Sequence, residues 1–521
     1  MVRRLQGASP RLETPSRQSA GQAGQSGEIR RYAAPPSRPP VTYPGVNRFP
    51  ETSPEPVRAV ADQPVSTFSV DVDTASYALA RRHLRDGHLP PREAVRVEEM
   101  VNYFRYDYPA PRDRAEPFRT TVSTLPTPWN RDTKLLHIGI RGYDIDRRER
   151  PRLNLALLID VSGSMAPDDR LPLLKRAFAR FVDELRPDDR VAIVTYANGT
   201  RVALEPTAGR ERQRIVDVIE SLGAAGGTAG GEGLQLAYRL AERNFDSEAV
   251  NRVILATDGD FNIGMNDPKQ LESFIAEKRK TGIYLSVLGV GVGNLNDALM
   301  QRLAQAGNGN AAYIDSMIEA RKVLVDELAS TMFPIANDVK IQVEFNPATV
   351  AEYRLIGYET RTLRREDFND DRVDAGDIGA GHTVTALYEI TPVDSKARLI
   401  DPLRYGTQSA APDARAAAEY AFVRLRYKLP GESASRLIET PVRVADTLAS
   451  VAAAPQDTRF AAAVAAFGQK LRGESRLSDF TYIDIAGLAN AAKGSDPLGV
   501  RAELVQLVRA ADGLAPGLAR R

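Results

Sequence analysis

The sequence predicts an α/β protein: a doubly wound, mainly parallel sheet flanked by a β-sandwich-like part and by C-terminal helices. Three patterns carry this. Between residues 150 and 332, short apolar runs alternate with helical stripes such as Leu174, Phe178, Phe181, Val182 and Leu185, as strands joined by helical crossovers do. On either side, stretches such as Val339-Lys-Ile-Gln-Val-Glu-Phe345 alternate with period two, the mark of strands with one wet face. Past residue 456, Phe460, Val464, Phe467 and Leu471 recur at helical spacing.

Taken in order, residues 1–64 are rich in Pro, Ser, Gln, Gly and Arg. Such a segment buries too little surface to offset its ordering entropy, so a disordered leader is expected. An extension over 65–149 should begin with a strand near 65–71 and a helix capped by Asp73 or Thr74. Gly87 and Pro90-Pro91 stop that helix after Leu84. A helix over 93–104 and strands over 118–125 and 134–141 complete the extension.

The α/β domain, 150–332, has strand candidates at 153–160, 190–197, 201–206, 252–258, 283–292 and 311–314. Asn198-Gly199 reads as a two-residue hairpin turn, making the third strand an antiparallel edge and leaving the others parallel in the order 3-2-1-4-5-6. The β-rich segment 333–450 has strands near 339–345, 383–390, 421–427 and 439–444. The strands at 118–141 are expected to complete its sandwich, so that the α/β domain is an insertion. Helices return over 451–521.

Composition excludes several function classes. The formal charge is +1 over 521 residues, which gives no reason to expect nucleic acid or an anionic membrane as partner. No apolar run reaches the ~18 residues of a transmembrane helix, and no apolar segment follows Met1-Val-Arg-Arg as in a signal peptide. The absence of cysteine rules out disulfides, thiolate metal sites and a cysteine nucleophile in this chain.

The chemistry concentrates at strand ends. Asp160-Val-Ser162-Gly-Ser164 closes the apolar run that begins at Leu153, placing a carboxylate and two hydroxyls on one turn. These are the hard oxygen donors a small divalent cation wants. The Gly-rich loop Ala224-Ala-Gly-Gly-Thr228-Ala-Gly-Gly-Glu232 offers a further hydroxyl, and a second apolar strand ends in Asp258. In the expected order, Asp160 and Asp258 end neighbouring strands ~5 Å apart and repel each other unless a cation lies between them. Helix capping by Asp160 and Ser162 would not account for Thr228 and Asp258.

In order and spacing these segments resemble the metal-ion-dependent adhesion site of von Willebrand factor type A domains. Residues 65–512 further resemble one bacterial group of such proteins, the YfbK-like group. The resemblance is carried by Thr67-Phe-Ser-Val-Asp-Val-Asp-Thr74, Val95-Arg-Val-Glu-Glu-Met-Val-Asn-Tyr-Phe104, Pro128-Trp-Asn130, Tyr353-Arg-Leu-Ile-Gly-Tyr358, Glu366-Asp-Phe-Asn369 and Gly379-Ala-Gly-His382. It implies that Ser162 and Ser164 bind Mg²⁺ directly, with Mn²⁺ or Ca²⁺ as alternatives. Asp160 would act directly or through water, Thr228 when its loop moves in, and Asp258 through water. The partner implied is a protein supplying Asp or Glu to the open metal position. The implied location is the cell envelope, whereas the start as given suits a cytoplasmic protein. Because the site is expected on a rim, Asp160→Ala should abolish capture and leave the fold intact.

Other readings are weaker. Asp71-Val-Asp73-Thr is similar to a haloacid dehalogenase-type nucleophile motif, with Asp71 as nucleophile and Asp73 as general acid, but no Gly follows Asp73. A metal-dependent phosphohydrolase is therefore the alternative, and a scaffold whose metal only rigidifies the rim is a third reading. Asp367-Phe-Asn-Asp-Asp371 opens like a calcium-binding loop, yet Arg372 and Ile378 stand where Gly and Glu are required. His83, His88, His137 and His382 have no metal-ligand spacing. Trp129 reads as a core or inter-domain anchor.

Overall fold

The computed structural model describes residues 47–50, 53–70, 73–112, 115–146, 149–228, 231–259, 268–293, 295–327, 332–373, 375–401 and 418–515. Asp71 lies outside the described residues. Order begins earlier than the expected residue 65. Strand β1 (Arg58–Ala59) precedes β2 (Val65–Ser69), and Val60 is buried. Farther upstream, the Arg48 amide donates to the Leu295 carbonyl at 2.9 Å. These anchors are single residues in polar surroundings, so periodicity does not reveal them.

Helix α1 (Ala75–Arg85) and the short α2 (Val97–Asn102) follow. Neither expected cap closes α1: Thr74 makes no side-chain cap bond. Asp73 instead accepts from the Ala311 amide and from Arg361, both at 2.8 Å. The helix expected over 93–104 is broken into a 3-10 turn at Arg92–Ala94 and α2. Arg96 stays extended between them.

Strands β3 (Phe118–Thr127) and β4 (Asn130–Gly142) lead into the α/β domain. Its chain order is β5 (Arg152–Asp160), α3 (Leu171–Asp183), β6 (Arg190–Tyr196), β7 (Thr200–Ala208), α4 (Arg212–Ser221), α5 (Gly231–Arg243) and β8 (Ala249–Thr257). Then come α6 (Pro268–Lys280), β9 (Ile283–Val290), α7 (Asp297–Ala306), β10 (Ala311–Ile314) and α8 (Met317–Arg321).

The sheet runs β10-β9-β8-β5-β6-β7, parallel except for β7. That is the predicted order. Helices cover both faces: Leu155, Leu157 and Ile159 share a cluster with Phe178 and Phe181, while Ala156 and Leu158 share one with Leu234 and Tyr238. Two-sided burial is why β5 reads as an unbroken apolar run. The β6–β7 hairpin forms, but through three residues, 197–199, with no positive φ at Asn198 or Gly199. Asn198 is used elsewhere, as described below.

The remaining strands are β11 (Pro334–Phe345), β12 (Val350–Leu355), β13 (Thr362–Leu363), β14 (Gly376–Gly379), β15 (Thr383–Pro392), β16 (Glu419–Lys428) and β17 (Ser435–Arg443). They form two antiparallel sheets, β1-β12-β15-β4-β3 and β13-β2-β11-β16-β17, with β14 on β11. Aromatic rings bridge them: Phe345 stacks on Tyr353 at 4.1 Å and Phe118 meets Tyr427 edge-on at 4.8 Å. Strands from before and after the α/β domain therefore share both sheets. Helices α9 (Gln456–Leu471), α10 (Tyr482–Ala492) and α11 (Val500–Leu514) close over α2, with Phe460, Val464 and Phe467 buried beside Val97, Met100 and Phe104.

A buried charge cluster ties these parts together. Arg81 of α1 donates to Asp315 and, at 2.7 Å, to Glu319 of α8; its other contacts are the Tyr103 hydroxyl at 3.0 Å and Glu503 of α11 at 3.3 Å. Trp129 lies in the β3–β4 turn, donating to Glu389 at 3.4 Å and lying 6.5 Å from Phe480.

Candidate metal centre

Parallel strands leave a cleft beyond their carboxyl ends where crossovers diverge to opposite faces, and β5 is that divergence point here. Asp160 ends β5. Its Oδ1 accepts from the Ser162 amide at 2.9 Å, and its Oδ2 accepts from the Tyr196 hydroxyl at 3.1 Å and the Thr257 hydroxyl at 3.3 Å. The carboxylate is fully buried, not on an exposed rim as the sequence reading assumed. Asp160→Ala would remove the acceptor that the Ser162 amide and the Tyr196 and Thr257 hydroxyls share, so it is not the neutral probe expected. Burial raises the Asp160 pKa above its ordinary value. Hydrogen bonds from Ser162 hold it down in part, and the charge of Asp258 adds to the rise.

The turn so anchored brings its hydroxyls together: Ser162 Oγ and Ser164 Oγ lie 3.0 Å apart. Ser162 is buried and Ser164 half-buried. The Gly-rich loop docks on the same turn, the Gly163 amide donating to the Gly226 carbonyl and the Ala225 amide to the Val161 carbonyl, both at 2.8 Å. Gly226 has φ +82°, and a Cβ there would collide with the Asn198 amide. Asn198 in turn accepts from the Gly227 amide. Thr228, two residues on, is half-buried and makes no side-chain hydrogen bond among the described residues.

Asp258 follows β8 and is buried. The cation beside it is Arg170, at the start of α3. This guanidinium donates to Asp258 Oδ2, to the Ser164 carbonyl at 2.7 Å and to the Val292 carbonyl at 2.9 Å. The expected repulsion between carboxylates is thus eased from within the chain. Sequence reading missed Arg170, Asn198, Tyr196 and Thr257. Arg170 carried a signal, because a cation at the positive end of a helix opposes the macrodipole. Such local conflicts gather at functional sites.

The oxygen donors fit a small hard cation. Two hydroxyls and a buried carboxylate converge on one turn, and the Gly-rich loop that carries a third hydroxyl is bonded to it. Among the described residues no cluster of three or more His, Cys, Asp or Glu is disposed around an ion, so the fit rests on hydroxyls as much as on charge.

Comparison with known proteins follows the same lines. Residues 154–326 match the von Willebrand factor type A domain, residues 44–137 the von Willebrand factor family, and residues 330–514 the C-terminal family of YfbK. YfbK of Escherichia coli strain K12 is 46% identical over 480 residues, 91% of this chain and 82% of the relative. The chain belongs to the YfbK family of type A-domain proteins. A second relative, protein sll0103 of Synechocystis, is 32% identical over 187 residues, 36% of this chain and 43% of its own length. A solved type A protein from Catenulispora acidiphila covers 75% of this chain and 89% of its own, at 17% identity and a TM-score of 0.41. Type A domains are known for metal-dependent protein interactions. Among the described residues of this YfbK family member, no helix is long and apolar enough to cross a membrane.

The rejected motifs have structural explanations. Asp367 pairs with Arg364, Asp370 with Arg372 and Asp371 with Arg426, so arginines neutralise the acidic loop. His137 is buried, its Nε2 bonded to the Tyr108 hydroxyl at 2.9 Å.

Proposed function

We propose that the carboxyl rim of the α/β domain is a divalent-cation site through which the chain captures a carboxylate of a protein partner. The observation that carries this is the 3.0 Å approach of the Ser162 and Ser164 hydroxyls on a turn fixed by buried Asp160. With ligand distances of about 2.1 Å, the edge of an octahedron around Mg²⁺ is about 3.0 Å. Adjacent equatorial ligands of a pentagonal-bipyramidal Ca²⁺ shell are about 2.8 Å apart, so the spacing accommodates Mg²⁺, Mn²⁺ or Ca²⁺.

Asp160, Ser162 and Ser164 would hold the ion, and Thr228 would add its hydroxyl from the Gly-rich loop. The bound ion supplies a Lewis-acidic position that accepts a carboxylate oxygen. The protein's part is orientation. Asp160 is held by three donors, so it can point the serine turn outward without rotating. Because Arg170 already neutralises Asp258, the rim has little negative charge of its own to satisfy a dication. Such a site favours an anionic partner.

The reading is of a binding module. Asp73, the general acid of the phosphatase alternative, is buried and already bonded to Arg361 and the Ala311 amide. The test is capture from extract of the source cells by wild type and by the Ser162→Ala/Ser164→Ala variant, each with Mg²⁺ and with EDTA. A protein retained only by wild type with Mg²⁺ is the expected result. Equal retention in all four conditions, with a melting temperature that still responds to Mg²⁺, would reduce the ion to a rigidifying role.

A further inference from the structure

We infer that Arg170 is a tethered cation that competes with the metal for Asp258 and so sets how tightly the rim binds it. This rests on the metal reading above. The arginine's seat is built from three loops: the Ser164 carbonyl follows β5, Asp258 follows β8 and the Val292 carbonyl follows β9. Its side chain is only 12% exposed and the Asp258 carboxylate is fully buried.

The third loop is shaped to admit the side chain. Gly291 has φ +70°, and a Cβ there would overlap the Arg170 side chain. From the other side, Asn47 Oδ1 accepts from the Gly293 and Leu295 amides, both at 3.1 Å. The loop is therefore pinned against the guanidinium rather than resting on it by chance.

The consequence is electrostatic. A dication on the serine turn and the guanidinium would be neighbours, both drawn to Asp258. Asp258 Oδ2 is engaged by Arg170, so this carboxylate is not freely available to the ion or its waters. For a separation of about 6 Å, a double and a single positive charge repel, even at the dielectric of water, by enough to weaken binding roughly tenfold. Buried charges are screened less than this, so at that separation the effect is at least tenfold.

Calorimetric titration with Mg²⁺ and spin-resonance titration with Mn²⁺ on the full chain test this. Arg170→Gln is expected to bind metal at least about tenfold tighter than wild type, while Arg170→Lys, which keeps the charge, stays within about threefold. Gly291→Ala leaves every charge in place and pushes Arg170 from its seat, so it should also tighten binding. It serves if Arg170→Gln does not fold, as judged by circular dichroism. Binding unchanged or weaker in Arg170→Gln or Gly291→Ala would overturn the inference and leave Arg170 as a support for Asp258. If wild type and both variants bind neither metal, the metal reading itself falls, and this inference with it.

Discussion

Replacing Arg81 by Met removes one guanidinium from the junction of three segments and leaves the carboxylates around it in place. Asp315 and Glu319 have side chains 1% exposed, so water cannot replace the lost partner. Glu319 keeps the Tyr103 hydroxyl, which donates to it at 2.6 Å. The burden therefore falls on Asp315. Breaking a buried ion pair from one side costs about 3–5 kcal/mol. The escape is protonation, which at pH 7 costs an aspartic acid of ordinary acidity about 4 kcal/mol. At pH 5.5 the same step costs only about 2 kcal/mol.

An unpaired buried acid binds protons more readily in the folded than in the unfolded state. The variant's deficit must therefore shrink as the pH falls. Urea unfolding followed by circular dichroism, for wild type and Arg81→Met at both pH values, reads the two differences directly. The expected losses are about 4 kcal/mol at pH 7 and about half of that at pH 5.5. Adding Asp315→Asn should recover most of the deficit at pH 7. A loss below about 1 kcal/mol at pH 7, the size of an exposed pair, or an equal loss at both pH values, would refute the argument.

His137 offers a second pH test, because burial pushes its pKa down to about 4 from 6.5. Between those values the unfolded chain takes the proton and the folded chain does not, so stability falls as the pH drops through this window, by about 3 kcal/mol in all. His137→Gln, which keeps a hydrogen-bonding partner for Tyr108, should lack that fall when its unfolding free energy is compared with wild type at pH 7 and pH 4.5. At the rim, Asp160→Ala should lose roughly 2–4 kcal/mol of stability, because the Ser162 amide and the Tyr196 and Thr257 hydroxyls lose a buried acceptor. Ser162→Ala/Ser164→Ala should lose less, about 1–2 kcal/mol, since what goes is the bond between the two hydroxyls and that of the Ser162 hydroxyl to Asp160. Thermal melts of both in EDTA would check this, and equal losses would show that Asp160 is no anchor.

The sequence by itself determined the sheet order, the antiparallel edge and the sandwich with its helices. Each rests on a local period: burial on both faces makes β5 mainly apolar, and β11 alternates because its Lys340 and Gln342, buried as well, turn to polar partners. It also determined that Asp160, Ser162 and Ser164 share one turn, because two-residue spacing after a strand leaves little freedom. Tertiary structure alone decided the rest. Asn198 spends its side chain on the Gly-rich loop, and Asp73 spends its carboxylate on β10 and Arg361 rather than on a helix cap. Val60 is buried by partners hundreds of residues away. Above all, Arg170 reaches Asp258 across 88 positions of sequence. Pairing between distant charges depends on where folded loops end, which no local pattern records. That Arg170 is the group seated on Asp258 was therefore not legible in the sequence.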